Sequence, residues 1–148
     1  MQQNYNKKTT PTAHRTLAGT LLTLLYRVYV LFVFLPLFLV SSVITATVTA
    51  IGCRLGNGHF WGYHPGRLWG QFVIRALLLP VRVEGREHLR PNQSYVFVSN
   101  HQGSFDIFLI YGFLGRNFKW MMKKGIRKIP LVGTACAYAH HIFVDKSG

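Results

Sequence analysis

The sequence predicts an α/β fold in which an apolar N-terminal segment, read as a helix hairpin or a single span, precedes part of an α/β sheet domain. Three observations carry this. Residues 28–53 hold no charged side chain, in a chain with seventeen Lys and Arg against four Asp and Glu. From Leu68 onward, helix-like and strand-like stretches alternate, the pattern of helices packed on a sheet. Between them, residues 54–67 are rich in Gly, His and aromatics, with Trp61 and Tyr63 suited to a membrane interface.

Residues 1–16 are polar, mildly basic and broken by Pro11, and read as a flexible tail. Residues 17–53 read as a membrane-embedded helical segment. As one helix, the uncharged run would reach about 39 Å against roughly 30 Å of hydrocarbon, enough for a tilted span. Pro36 divides the segment into two stretches and offers the hairpin as the alternative. A buried helix pair in a soluble protein is the bland reading of the same apolarity. A secretory signal fits poorly, because the apolar region is too long and no small-residue cleavage site follows it.

Residues 68–148 make up the sheet-forming part. LWGQFVIRALLLP predicts an amphipathic helix stopped at Pro80. VRVEGREHL predicts a short strand with a turn at Gly85, and residues 95–98, YVFV, a strand buried on both faces. SFDIFLIYGFL predicts a helix capped by Ser104. A strand or short helix, a basic loop, a helix and a final strand follow. His140 and His141, at the entry to that strand, point to opposite faces.

The net charge of +13 requires an anionic partner. The hydrophobic fraction of 49% favours a membrane surface over nucleic acid, for which no binding motif occurs. Cys53 and Cys136 have no ligand spacing, and His59 and His64 lack a third partner, so no metal site is predicted.

The stretch NHQGSFD, residues 100–106, lies between a strand-like run and a helix start, where open α/β sheets place their ligands. The helix N-terminus favours a neutral imidazole at His101, and Asp106, in the first turn, is placed to accept one ring N–H. The other ring nitrogen then takes a proton. A pair that merely caps the helix is the competing reading.

NHQGSFD resembles the first signature of the glycerolipid acyltransferases, the 1-acyl-glycerol-3-phosphate acyltransferase family. KKGIRKIPLVG resembles the segment between that family's first two signatures, and IFVDK resembles the second. The resemblance implies that His101 is the general base and Asp106 its orienting partner. It implies that Asn100, Gln102, Ser104, Asp145 and Lys146 contact substrate. Lys146 stands where the family has arginine, and a lysine cannot make the planar two-point contact of a guanidinium.

Implied partners are the bilayer, lysophosphatidic acid or a related lysolipid, and acyl-CoA or acyl carrier protein as co-substrate, with no other cofactor. The family's third signature, Glu-Gly-Thr-Arg, does not occur, so the chain resembles the family's N-terminal portion and is expected to be weakly active or inactive by itself. Lys7, Lys8, Arg15 and Arg27 precede the uncharged run and predict a cytoplasmic N-terminus, at the inner (plasma) membrane. A single span would then put His101 outside, so the enzyme reading calls for the hairpin or for a helix pair within one leaflet. The rival function is a non-catalytic membrane protein that binds anionic lipid or a partner through its basic surface.

Overall fold

The computed structural model describes residues 17–100 and 103–145. The elements run α1 (Leu17–Tyr29), a π-helical turn (Val30–Phe34), α2 (Leu35–Leu55), α3 (Gly58–Trp61), α4 (His64–Ala76) and a 3-10 turn (Arg86–His88). Then come α5 (Phe105–Phe113), β1 (Met121–Lys123), a second 3-10 turn (Lys124–Lys128), α6 (Val132–Tyr138) and β2 (Ile142–Val144). The chain is mostly helical, with a parallel two-stranded sheet that pairs Met121 with Ile142 and Lys123 with Val144.

α1, the π turn and α2 form one unbroken helix of 39 residues, so the hairpin alternative within residues 17–53 does not hold. Tyr29, Phe34 and Leu35 all keep right-handed helical angles. Pro36 lacks an N–H, and its ring crowds the carbonyl four residues back. The π turn directly before it widens the ladder there, which lets the helix pass the proline without breaking. The whole rod is about 58 Å long, nearly twice the hydrocarbon thickness. Ser41, Ser42 and Thr47 bond back to carbonyls three or four residues earlier, which satisfies their hydroxyls inside the helix.

α4 packs antiparallel along this rod. Phe34, Val73 and Leu77 form the buried centre, with Phe38, Trp69 and Phe108 around it. The Tyr29 hydroxyl donates to Ala76 O at 2.7 Å and the Tyr26 hydroxyl to Leu77 O at 3.1 Å. Two tyrosines of the apolar helix therefore satisfy carbonyls that the end of α4 leaves open. α4 begins at His64 with Pro65 in its first turn, four residues before the amphipathic pattern at Leu68 suggested.

α5 crosses α4 at a glycine pair. A Cβ on Gly70 would lie 2.8 Å from Phe108 O, and one on Gly112 would lie 2.8 Å from Gln71 N. α6 lies along α2, with Arg54 Nη1 donating to the Tyr138 hydroxyl at 3.4 Å.

Two expected strands are not formed: residues 81–84 and 95–98 join no sheet among the described residues. Residues 81–84 carry the Arg82–Glu84 ion pair on one face, and the turn at Gly85 is present with φ +82°. Residues 95–98 were expected to be buried, yet Val96 and Val98 are each 92% exposed. An apolar extended run becomes a strand only where a neighbouring edge supplies hydrogen bonds. Among the described residues, β1 and β2 bond to each other and neither bonds this run.

Candidate active site

The opening turn of α5 is closed by Asp106. Its Oδ2 accepts from the Gly103 N–H at 3.0 Å, while its own N–H donates to Gly103 O at 3.2 Å. The first bond is the carboxylate half of a capping box and the second is a backbone turn, with the carboxylate also favoured by the positive end of the helix. Ser104 was expected to be the cap and is not: its φ of −61° and ψ of −21° are already helical, and its side chain makes no capping bond. The carboxylate two residues later instead holds the Gly103 N–H, which precedes the helix.

Asp106 is half-buried, whereas Asn100 and Ser104 are exposed. Asp145 follows β2 and accepts from Lys124 Nζ at 2.9 Å. His101, Gln102 and Lys146 lie outside the described residues.

A cavity of about 210 Å³ lies between α2, α4, α5 and α6, and its walls include Ser42, Ala46, Trp69, Tyr111, Cys136 and His141. Trp69 in its wall stands edge-on to Phe108 of α5 with ring centroids 5.0 Å apart, and Tyr111, also in the wall, follows Asp106 by five residues on the same helix. The lining is mainly apolar or small, and a cavity of about 150 Å³ of that character already takes a benzene-sized guest.

One polar chain crosses the cavity wall. The Trp120 N–H donates to His141 Nδ1 at 3.2 Å, which places the ring hydrogen on Nε2. Nε2 faces the Tyr111 hydroxyl at 3.5 Å, and that hydroxyl donates to Gly62 O at 3.0 Å. Burial, with the nearby Lys119 ammonium adding to it, lowers the His141 pKa to about 4. Burial also raises the pKa of the Tyr111 phenol. As expected of adjacent strand-entry residues, the two histidines diverge: His140 is exposed and His141 is buried.

A base whose pKa falls on folding is protonated first in the unfolded chain, so stability drops as pH falls from about 6.5 towards 4. For His141 this amounts to about 3 kcal/mol in all. His141→Asn keeps an acceptor for the Trp120 N–H and does not titrate. Thermal unfolding in mild detergent at pH 7 and pH 4.5 is expected to show a smaller loss in this variant than in the parent. Equal losses would contradict the assignment.

The family model described as Acyltransferase matches residues 80–148. Over these residues the chain is similar to the acyltransferase family. A 1-acyl-sn-glycerol-3-phosphate acyltransferase of Limnanthes douglasii is 30% identical over 94 residues, 64% of this chain and 31% of the relative. The alpha form of the human enzyme of the same name is 36% identical over 82 residues, 50% of this chain and 29% of the relative. A chloroplastic enzyme of that name from Arabidopsis thaliana is 37% identical over 70 residues, 47% of this chain and 19% of the relative. The match thus spans under a third of each relative's length. No solved structure matches the chain.

The acyltransferase segment contains the whole run from Asn100 to Asp106 and also Asp145 and Lys146, while α1 to α4 precede it. The cavity draws on both parts. Ser42, Ala46 and Trp69 come from the preceding helices, and Tyr111, Cys136 and His141 from the acyltransferase segment. Sequence reasoning singled out none of these residues as a cavity wall. A signal was present in Gly62, Gly66 and Gly70, spaced by four and each packed against a neighbouring element, at Ala139, Tyr111 and Gly112 respectively.

Proposed function

We propose that the chain carries the His–Asp half of an acyl-transfer site, which moves a fatty acyl group from acyl-CoA or acyl carrier protein to the free hydroxyl of lysophosphatidic acid. The observation that carries this reading is Asp106, fixed in the opening turn of α5, five residues after His101 and inside the family-matched segment. His101 takes the hydroxyl proton as the glycerol oxygen attacks the thioester carbonyl. The tetrahedral intermediate then collapses, the C–S bond breaks, and the proton on His101 passes to the departing thiolate.

Asp106 orients the imidazole and stabilises its cationic form, as the acid does in other His–Asp pairs. The Gly103 bond uses one of about four lone-pair sites of the carboxylate. Asn100, Gln102 and Ser104 border the reacting atoms. Asp145 and Lys146 serve the acceptor phosphate, with Lys146 supplying the charge.

In this reading the rod lies against the membrane with its outer face, where Leu35, Leu39, Val43 and Ile51 are exposed, while hydrogen bonds to the later elements run from Tyr26 to Arg54 along its inner face. The acyl-transfer site is then on the cytoplasmic face, where the acyl donors are.

The cavity beside Trp69 suits the acyl chain. Ala46, 7% exposed in its wall, is the position at which added bulk shortens the available space. Ala46→Leu is expected to lower kcat/KM for long-chain donors more than for short-chain donors. An unchanged donor ratio would remove the cavity from the proposal.

The reaction class is tested by incubating membranes that carry the protein with labelled acyl-CoA or acyl carrier protein and either lysophosphatidic acid or glycerol-3-phosphate. Labelled phosphatidic acid from the lysolipid supports the reading. Label appearing only with glycerol-3-phosphate would overturn the choice of acceptor.

A further inference from the structure

We propose that the basic turn after β1, together with the start of α6, is a docking rim for anionic lipid headgroups beside the embedded helix. Lys123, Lys124, Arg127 and Lys128 are all exposed within six residues that hold no acid. Lys124 reaches Asp145, and the Arg127 guanidinium sits 5.7 Å from the Phe143 ring centroid. The next residues are apolar and open to the surface: Ile129, Leu131 and Val132. Charges beside exposed aliphatic side chains match a headgroup region, which offers phosphates above and acyl chains below.

The turn has a fixed place next to the membrane helix. Gly133 donates to Ile129 O at 2.8 Å, and a Cβ at Gly133 would fall 2.2 Å from Arg127 O, so the turn is tied to α6 by backbone. α6 in turn lies along α2, where Val132 shares the cavity wall with Ser42 and Thr45. At that level the outer face of α2 presents Leu39, Val40, Val43 and Ile44, each between 56 and 58% exposed. An acidic protein would fit the charges alone. The aliphatic flank and the position beside α2 favour lipid.

The inference rests on the membrane reading above, and vesicle binding separates the two. The full chain is titrated with phosphatidylcholine vesicles and with vesicles that also contain phosphatidylglycerol. Binding to both is expected, tighter on the anionic vesicles, with the preference falling as salt rises. Lys123→Gln with Arg127→Gln and Lys128→Gln should lose that preference by on the order of a hundredfold while keeping phosphatidylcholine binding. Arg82→Gln with Arg90→Gln, outside the turn, should change it little.

A salt-independent parent that binds both vesicles equally would overturn the rim and leave the embedded helix standing. A triple variant that keeps the preference would do the same. Failure of the parent to bind either vesicle would overturn the membrane reading and the rim together. The salt dependence of the parent needs no variant to fold.

Discussion

Asp106→Asn lowers acyl transfer by about 10²–10⁴-fold while the domain stays folded. The two substitutions at this position separate its two roles. Asparagine keeps a carbonyl oxygen for the Gly103 N–H, so the capping bond now 3.0 Å long survives and stability changes by only a few tenths of a kcal/mol. It carries no charge, so it cannot stabilise an imidazolium at His101. Asp106→Ala loses both functions and costs about 1 kcal/mol of stability as well. Had Asp106 served only as a cap, the asparagine variant would transfer acyl groups at the parent rate. The measurement is kcat and KM for both variants beside their melting temperatures.

Gly112→Val destabilises the fold by roughly 3 kcal/mol, a large share of the 5–15 kcal/mol that holds a domain. The Cβ of any side chain at Gly112 meets Gln71 N at 2.8 Å and Gly70 C at 3.1 Å, both backbone atoms that cannot rotate away. α4 and α5 must separate to admit it. Their crossing carries Phe108 against Trp69 and sets the angle at which α5 presents Asp106. Gly112→Ala sets two effects against each other: alanine gains up to about 1 kcal/mol in helix propensity. At an unhindered site that gain would raise the melting temperature; here the contact wins and the melting temperature falls. Thermal unfolding of both variants in mild detergent measures it, and a stabilised alanine variant would refute the close crossing.

What the sequence made legible depended on the range over which each feature is determined. The long apolar run, the helix at residues 105–113, the turn at Gly85 and the basic turn, helix and final strand after residue 123 all rest on local pattern, and the structure has them; the segment before the basic turn, open between strand and short helix, is the strand β1. Pro36 was ambiguous because a proline can end a helix or bend it, and the π turn that decided the matter has no marker in composition. The apolar run at residues 95–98 reads as a buried strand and is neither a strand nor buried, since both depend on a partner edge that local sequence does not specify. The cavity was invisible for a similar reason. Tyr111 meets Gly62 and His141 across separations of 49 and 30 residues, and nothing in periodicity reports such pairs. For the candidate site, motif spacing identified Asp106 and its position in a first turn, but assigned the cap to Ser104.

The most direct test compares lysophosphatidic acid acylation in membranes that carry the parent protein, within its longest reading frame, and His101→Ala. Protein level is matched by immunoblot, and helix content is checked by circular dichroism after extraction in detergent. The account predicts acyl transfer by the parent and its loss, to within the background of the membranes, in the variant. Transfer at the same rate by both would contradict it and return the His–Asp pair to the role of a helix cap.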